Sequence, residues 1–419
     1  MLALGFRDSV NWVRNPYGVL DEKLAEGRLS FQLRLLGMGR VFVTGDGPLV
    51  ESAIRNPLLI GGRGTRALRP VVGDQAMIVQ EGARHRAHRA LVAPFFSATA
   101  VARYDPIVAE EADRRLTRIG AGGRFSALRL FHDINLAGIV RVAFGELPLA
   151  RRERLIELID RYGDSFKSPW TLFLRPLHLP LGRFNTWGRF AQNRSALREA
   201  IGEEIRRAGR DTLAGAVGEA LRDGTLAAQE GVDALLEILL FGHDTAAAAL
   251  AWWAGHLHSH PAALERASAE IAAEGRKDYG FVGATLRESM RLAPVVVHLT
   301  RFATERTELG GNPIRAGQHV FLSAYLAHRD PRRFEQPEAF RPERFLGPKE
   351  SASGFDYFPF GLGSRLCAGM AFAMRQMEIV ASRFLGRGPF VLASGQTLRP
   401  ERRLVLIVPS DGLRMERLG

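Results

Sequence analysis

The stretch Phe360-Gly361-Leu362-Gly363-Ser364-Arg365-Leu366-Cys367-Ala368-Gly369 holds the only cysteine of the 419-residue chain. Its first two glycines permit backbone turns that residues with a Cβ resist, so the stretch predicts a loop that presents the sulfur. Good helix formers follow over residues 370–378, which places Cys367 just before a helix N-terminus. Unpaired N–H groups at that end, together with the charge of Arg365, would favour an anionic thiolate.

The alternative is that Cys367 is a small, buried and inert residue, as most lone cysteines are. The surrounding pattern, Phe360-x-x-Gly363-x-Arg365-x-Cys367-x-Gly369, favours a metal ligand instead. At every defining position it resembles the haem-binding signature of the cytochrome P450 superfamily. The resemblance implies that Cys367 is the axial ligand of the iron of haem b. It also assigns three further residues of the signature to the haem site: Phe360, Arg365 and Gly369.

The composition is that of a globular protein, with 46% hydrophobic and 24% charged residues. A single cysteine excludes an internal disulfide and fits a reducing cytoplasm. No run of about 18 uncharged apolar residues is present at the start or later, so we expect a cytoplasmic protein without a membrane anchor. The formal net charge is +12, but arginines are scattered through the chain. Background composition explains this best, an acidic redox partner next, and nucleic acid least.

A predicted basic helix carries His85 and Arg89 on one face, because the two residues are four positions apart. A solvated surface helix is the simplest explanation. In cytochromes P450, a Trp or His followed four positions later by Arg binds the haem propionates, and the resemblance assigns this role to His85 and Arg89. His88 remains an alternative to His85. Arg301, which follows a predicted strand, matches a further propionate-binding arginine of the family.

A long apolar helix is predicted around the stretch Phe241-Gly242-His243-Asp244-Thr245. A glycine inside a helix costs about 1 kcal/mol relative to alanine, which suggests that a flat cofactor approaches at Gly242. A buried Asp–Thr pair could be purely structural. This pair resembles the acid–alcohol pair of oxygen-activating P450s, which implies that Thr245 stabilises bound dioxygen and that Asp244 relays protons. His243 is expected to pair with a neighbouring group or, alternatively, to adjust the proton path.

The stretch Glu288-Ser289-Met290-Arg291 places an acid and a base three residues apart on one helix face. If exposed, a pair of this kind contributes little to stability. It resembles the ExxR motif of the P450 family, in which the pair is buried and an arginine from a later loop completes it. Arg344 is the better match for that arginine, and Arg341 is the alternative. The network is expected to be structural and to hold the loop that leads to Cys367.

The predicted substrate pocket is apolar. Residues 168–182 are apolar and aromatic and contain three prolines, so they form either a packed surface loop or a mobile lid. Residues 56–80 form a second long loop of the kind that is often functional. The candidate pocket residues are Phe241, Val296, Val297 and, within the first segment, Trp170. They favour an apolar substrate of secondary metabolism, such as a terpenoid, a fatty acid or a polyketide.

The resemblance implies the mainly α cytochrome P450 fold, as a single catalytic domain over residues 1–419. A small β-rich region is expected at about residues 30–60 and 295–325, with haem between the Thr245 helix and the Cys367 loop. The residues themselves predict three local features: a hairpin around 37–39, a closing hairpin of 390–393 with 404–408, and an irregular segment 1–29 with one short helix.

The implied activity is monooxygenation, in which one oxygen atom of O2 enters the substrate. Electrons would come from a separate ferredoxin or flavodoxin with its reductase, docked on the cysteine side. Four arginines are candidates to meet this donor: Arg84, Arg86, Arg365 and Arg375. A peroxide-driven or non-oxidative haem-thiolate enzyme would typically lack the acid–alcohol pair. A non-enzymatic haem-binding protein would need neither an apolar lid nor a pocket.

Overall fold

The computed structural model describes residues 2–167, 186–273, 280–347 and 354–419. The mainly α architecture is confirmed. In chain order the helices are α1 Leu2–Arg14, α2 Pro16–Ala25, α3 Gly47–Arg55, α4 Arg69–Val72, α5 Gly82–Val92, α6 Ala98–Val101, α7 Asp105–Leu116, α8 Ala127–Phe144, α9 Leu149–Asp164, α10 Thr186–Arg207, α11 Leu213–Arg222, α12 Ala228–His258, α13 Pro261–Ala272, α14 Gly280–Leu292, α15 Ala324–Ala327 and α16 Met370–Arg387. The strands are β1 Ser30–Leu35, β2 Gly39–Thr44, β3 Leu59–Ile60, β4 Arg124–Ser126, β5 His298–Ala303, β6 Thr307–Leu309, β7 Asn312–Ile314, β8 His319–Ser323, β9 Phe390–Leu392, β10 Pro400–Arg403, β11 Leu406–Pro409 and β12 Arg414–Arg417.

Helix α12 is the central element of the core and packs along α8. Its four consecutive alanines at 246–249 are buried, which lets neighbouring helices approach closely. A Cβ added at Gly242 would lie 3.1 Å from Cγ1 of Ile139 on α8, so the two helices are also tightly packed at this glycine. By length and composition α12 could cross a membrane, but 72% of its apolar window is buried. No other helix in the described ranges passes the same test.

The N-terminal residues are more ordered than the sequence suggested. In place of an irregular segment with one short helix, α1 and α2 occupy residues 2–25 with a break at Asn15. The Oδ1 of Asn15 accepts a hydrogen bond from the N–H of Gly18 at 3.0 Å, and Pro16 takes the first helical position. Trp12 and Leu20 bury the inner faces of the two helices. The Asn-Pro dipeptide was the signal for this second helix.

The β-rich region is a five-stranded sheet in the order β1-β2-β8-β5-β3. The hairpin predicted at 37–39 is confirmed, with Arg34 opposite Arg40 and positive φ angles of 78° at Gly37 and 72° at Gly39. Strands β2 and β8 are parallel, whereas the other pairs in this sheet are antiparallel. This topology joins strands from residues 30–60 to strands from residues 298–323 in one sheet.

The closing hairpin is different from the predicted one. Residues 390–392 of β9 pair with β12, whereas β11 pairs with the arginine-rich strand β10. Arg403 and Leu406 face each other across a two-residue turn, in which Leu404 has a φ of 52°. Strand β10 has no apolar alternation, so β propensity alone could not identify it. The short turn and the apolar partner strand decided the pairing.

The segment 56–80 is a connection with several short elements, held down by the helices beneath it. The hydroxyl of Tyr162 donates to the carbonyl of Val71 at 2.6 Å. Two acidic residues of α12 accept from backbone N–H groups of the segment: Asp233 from Gln75 at 2.9 Å, and Glu237 from Ile78 at 3.2 Å. These contacts fix one wall of the central cavity.

Candidate active site

A cavity of about 1200 Å³ lies between α12, α5, the segment 56–80 and the loop before α16. Its walls are mainly apolar. The predicted site residues that line it are Phe241, Gly242, Thr245, His85, Arg89, Arg301, Arg365, Val296, Val297, Phe360, Cys367 and Gly369. Residues that belong to distant parts of the chain therefore meet around one space. Trp170 and the whole predicted lid lie outside the described residues.

The cysteine loop folds as its glycines predicted. Gly361 has a φ of 83° and Gly363 has a φ of 63°, which is backbone that residues with a Cβ rarely adopt. A Cβ added at Gly363 would also lie 2.9 Å from Cγ2 of Ile54, so a larger residue is doubly disfavoured there. The N–H of Cys367 donates to the carbonyl of Phe360 at 2.8 Å, which closes the loop. Helix α16 begins at Met370, three residues after the sulfur.

Arg365 is not the residue that favours ionisation of the Cys367 thiol, contrary to what the sequence suggested. The Cys367 side chain is exposed to the cavity, and enclosure by the surrounding protein raises the pKa of its thiol. A hydrogen bond from Gly369 and the charge of Arg89 lower this pKa by less. Arg365 points elsewhere: its Nη2 donates to Oε2 of Glu81 at 2.6 Å. Because a coordinating metal ion deprotonates a thiol, the ionised form at Cys367 would depend on the iron rather than on Arg365.

A cationic cluster lines one end of the cavity: His85, Arg89, Arg301 and Arg365. His88, the alternative to His85, instead places its Nε2 3.6 Å from Oε1 of the buried Glu230. Burial, with the charges of Arg365 and Arg89, lowers the pKa of His85 to about 4. Burial and the charge of Arg365 lower the pKa of Arg301 to about 10. The cluster is therefore electrostatically incomplete.

These features fit haem. The cluster offers guanidinium and imidazole donors for two carboxylates, the cysteine offers a soft ligand for iron, and the apolar walls suit a flat ring. Gly242 lies on the same wall, although its missing side chain is explained first by the contact with Ile139 and not by a cofactor. The approach of a cofactor to this glycine, which the sequence suggested, remains a prediction.

Thr245 and Asp244 lie on different sides of α12. Thr245 lines the cavity, and its hydroxyl donates to the carbonyl of Phe241 at 2.8 Å. Asp244 lines a separate, smaller cavity of about 180 Å³ and is 41% exposed. Its Oδ1 lies 3.4 Å from Nε2 of His132 and 3.5 Å from Nε2 of His243. His243 thus pairs with a neighbouring group, as predicted, while the sequence contained no signal for His132.

The network around Glu288 is completely buried. Glu288 and Arg291 form two hydrogen bonds of 2.8 Å, and Nε of Arg344 reaches Oε1 of Glu288 at 3.2 Å. Arg341 contributes its backbone N–H, at 2.8 Å, whereas its side chain reaches the exposed Glu335. The structure therefore places the guanidinium of Arg344, and not that of Arg341, beside the carboxylate.

The same network reaches the cysteine loop through His328, which the sequence did not single out. Arg291 donates to the carbonyl of His328 at 2.9 Å, and Nε2 of His328 accepts from the N–H of Phe358 at 2.9 Å. The carbonyl of Phe358 accepts from the N–H of Gly361 at 3.0 Å. Burial lowers the pKa of His328 to about 3, with Arg291 adding to the effect, so the ring is neutral and can accept. The buried ion pair and the loop are thus connected by hydrogen bonds.

Glu237 is a further cavity residue that the sequence could have revealed. It precedes Phe241 and Thr245 by four and eight positions, so the three share one helix face, and all three line the cavity. Burial raises the pKa of its carboxyl to about 7, although hydrogen bonds from the N–H groups of Ile78 and Met77 oppose the effect.

Three of the four arginines proposed to meet a redox partner are already engaged. Arg365 lies inside the protein with Glu81, Arg375 donates to Asp105 at 3.0 Å, and Arg84 is bound to Glu230 at 2.6 Å. The prediction that Arg365 is a surface contact is therefore wrong, because its side chain turns into the cavity wall. Arg86 is exposed.

Comparisons with known proteins agree on one family. The family model "Cytochrome P450" matches residues 63–415. "Putative cytochrome P450 135B1" of Mycobacterium bovis is 30% identical over 400 residues, covering 92% of this chain and 84% of the relative. "Putative cytochrome P450 137" of Mycobacterium tuberculosis is 29% identical over 400 residues, covering 91% and 81%.

Solved structures show the same fold. The retinoic acid bound cyanobacterial CYP120A1 has a TM-score of 0.83 and 23% identity, covering 98% of this chain and 96% of that one. The cytochrome P450DA heme domain has a TM-score of 0.83 and 20% identity, covering 97% and 94%. With the match of the family model, these similarities show that the chain belongs to the cytochrome P450 family, as a haem-thiolate monooxygenase that uses O2, a substrate and electrons from a redox partner.

Proposed function

We propose that this monooxygenase inserts one oxygen atom into an apolar small molecule, by hydroxylation or epoxidation of a terpenoid, fatty acid or polyketide-like substrate of secondary metabolism. The observation that carries the proposal is the mainly apolar cavity with Cys367 and Thr245 on its walls. Phe241, Val296 and Val297 supply apolar surface, and burial of apolar substrate surface favours binding by about 25 cal/mol per Å². Glu237 is the polar group that could orient such a substrate.

Haem b is the proposed cofactor, with Cys367 as its iron ligand and His85, Arg89, Arg301 and Arg365 around its propionates. When bound, it supplies oxygen activation, and a thiolate ligand favours O–O cleavage. The chain's own contribution is to orient the substrate, to exclude water and to supply protons.

Thr245 and Asp244 are the proposed catalytic pair. The Thr245 hydroxyl donates within its helix, so its oxygen remains able to accept a hydrogen bond on the cavity side. Asp244 is half-exposed and lies beside two imidazoles, where it can take up protons from solvent. Asp244 lies on the solvent side and Thr245 on the cavity side of the same helical turn. This arrangement supports a proton relay through α12 rather than a purely structural pair.

Electrons are proposed to come from a separate ferredoxin or flavodoxin with its reductase in the cytoplasm. Arg86 is the one of the four candidate arginines that the geometry still favours, because it is exposed on α5. We also propose that residues 1–419 form one catalytic domain, since one hydrophobic cluster contains both Trp12 and Met415.

The first test is the absorption spectrum of the reduced protein under carbon monoxide, for the wild type and for Cys367→Ala. A strongly red-shifted Soret band that the substitution abolishes is expected. A band at the position of histidine-ligated haem would contradict the proposal.

The second test separates the proposed reaction from a peroxide-driven one. Titration with terpenoids and fatty acids should shift the haem spectrum of the oxidised protein. Bound compounds are then incubated with a ferredoxin and its NADPH-dependent reductase, or with hydrogen peroxide alone. Product that requires the electron donor supports the proposal, and product with peroxide alone supports the alternative. The same assay with Arg86→Ala, which should slow reduction, tests the docking surface.

A further inference from the structure

A second cluster of ligand-type side chains lies outside the central cavity, between α8 and α12. One ring nitrogen each of His132 and His243 and a carboxylate oxygen of Asp244 all lie within 4.8 Å of one another. His132 comes from α8 and the other two from α12. Asp160 of α9 adds a fourth group, since its Oδ1 lies 3.4 Å from Nε2 of His132.

Hydrogen bonds fix both imidazole rings with Nε2 directed at the carboxylate. Nδ1 of His243 is bonded to the carbonyl of Leu239 at 2.5 Å, and a carbonyl only accepts, so Nδ1 carries the proton. Nδ1 of His132 lies 3.3 Å from Oδ1 of Asp133, which favours the same tautomer. In the neutral rings the Nε2 lone pairs then face the oxygen of Asp244. Two lone pairs opposite a carboxylate repel one another unless a proton or a metal cation lies between them, and a metal cation can satisfy both rings and the carboxylate at once.

The distances match those of a transition-metal site. Zinc bonds of about 2.0–2.2 Å to nitrogen and oxygen give a tetrahedron with edges of roughly 3.3–3.6 Å. The two distances from Oδ1 of Asp244 to the imidazoles are 3.4 and 3.5 Å, and the one from His132 to Asp160 is 3.4 Å.

Outer groups hold the ligands in the way that metal sites require. The proton on Nδ1 of each imidazole is engaged by a carbonyl or a carboxylate. Arg129 donates to Oδ2 of Asp160 at 2.8 Å and lies 2.8 Å from Oδ1 of Asp133. His243 is buried and His132 is largely buried, whereas Asp244 opens to the smaller cavity and provides an entry path.

We propose that His132, His243 and Asp244, with Asp160 or water as the fourth ligand, bind a divalent transition-metal ion of the zinc class. Imidazole nitrogen and carboxylate oxygen suit this class better than magnesium or calcium, which prefer oxygen ligands only. Binding itself is independent of the reaction. The consequence rests on the proposed function of Asp244: a bound ion would hold its carboxylate and reduce proton supply, so the metal would inhibit turnover.

The test is calorimetric titration of zinc chloride into the haem-loaded protein, in which Cys367 is occupied by iron. One zinc per chain is expected for the wild type. His132→Gln should weaken binding at least about tenfold, which is the smallest loss seen when even an outer group of a metal site is removed. His260→Gln is the matched control, because His260 is exposed and lies outside the cluster. Equal affinity of the wild type and His132→Gln, or no stoichiometric binding, would overturn the proposal.

A second measurement guards against misfolding and misplaced zinc. His132 does not line the central cavity, so His132→Gln should retain the carbon monoxide spectrum of the wild type. Asp160→Asn should lower the affinity by less than His132→Gln does. Zinc K-edge absorption of the loaded protein should show nitrogen and oxygen ligands. A sulfur ligand would place the metal at Cys367 and refute the site. If zinc binds at the cluster but leaves turnover unchanged, the site stands and the role proposed for Asp244 fails.

Discussion

Two buried groups of charged residues lie near the cysteine loop, and they are built in opposite ways. In the network of Glu288, Arg291 and Arg344, a carboxylate accepts from two guanidinium groups, and further donors of Arg291 are bound to backbone carbonyls. In the cluster of His85, Arg89, Arg301 and Arg365, three guanidinium groups surround an imidazole that burial and their charges keep neutral, and Glu81 is the carboxylate that binds one of the guanidinium groups. The first group is complete within the chain. The second is arranged for the charges of a ligand.

This difference distinguishes buried charges that stabilise the fold from buried charges that bind a ligand. A structural ion pair must satisfy every donor inside the protein, because an unpaired buried charge is expensive. A binding site can leave its charges incomplete, since the ligand supplies the missing partner. The pKa values of His85 and Arg301 are lowered because both side chains are buried next to positive charges. The Glu288 network, in contrast, is held by direct hydrogen bonds between opposite charges.

The largest effect is expected from breaking the complete network. Glu288→Gln leaves Arg291 buried without its carboxylate, which should lower the free energy of unfolding by about 3–5 kcal/mol. Urea denaturation followed by circular dichroism measures the loss. Glu335→Gln, which removes an exposed carboxylate beside Arg341, is the control and should change stability by less than about 1 kcal/mol. Equal losses in both variants would mean that the buried pair is no more important than a surface pair.

Glu237 is intermediate between the two groups, because its carboxylate is buried but is bound by backbone N–H groups and not by a cation. Its pKa in the folded state is raised from 4.5 to about 7, so the folded protein holds a proton that the unfolded chain releases. The stability that it contributes therefore falls as pH rises from about 4.5 to 7, by up to about 3 kcal/mol, and is constant above.

The measurement is the pH dependence of unfolding for the wild type and Glu237→Gln. The variant lacks this titration, so its stability relative to the wild type should increase across the same pH window and then level off. Parallel curves for the two proteins would show that the folded-state pKa of Glu237 is close to its ordinary value.

A smaller effect is expected in the incomplete cluster, where loss of a charge should weaken haem binding but should not destabilise the haem-free protein. Arg301→Gln removes a charged hydrogen-bond donor of the haem site, and bonds of this kind contribute about 1.5–3 kcal/mol, so haem should bind roughly 10–100-fold more weakly. The haem-free protein should be as stable as the wild type or slightly more stable, since the repulsion from Arg365 is relieved. Rates of haem transfer to a scavenging globin, together with urea unfolding, measure the two quantities.

The exposed Arg306 supplies the control for this prediction, and Arg306→Gln should change neither quantity. If Arg301→Gln destabilised the haem-free protein as strongly as Glu288→Gln, the two groups would not differ in the way proposed here.

The smallest effect is expected at Arg341. Its backbone N–H bonds to Glu288, but its side chain lies at the surface beside Glu335. Arg341→Gln retains the backbone donor and should change the unfolding free energy by less than about 1 kcal/mol. Arg344→Gln should have the larger effect, because the Arg344 guanidinium is buried against Glu288. A reversal of this order would restore Arg341 as the third member of the network.

Much of the site could be predicted from local sequence. The glycines around Cys367, the spacing of His85 and Arg89, and the Glu288–Arg291 pair are short-range patterns, and short-range geometry follows from backbone conformation and helix period. The prediction was wrong where a partner lay far away in the chain. The charge beside the thiol comes from Arg89 and not from Arg365, and the strand at 400–403 is defined by its partner.

The sequence by itself determined the family, the mainly α architecture, the cysteine loop and the order of the motifs, because each depends on residues within a few positions of one another. Only the tertiary structure decided which side chains face each other across helices. It turned His88 toward Glu230, directed Asp244 into a different cavity from that of Thr245, and brought His132 to His243. Such contacts depend on how helices pack, and helix packing is set by the whole core and not by any local pattern.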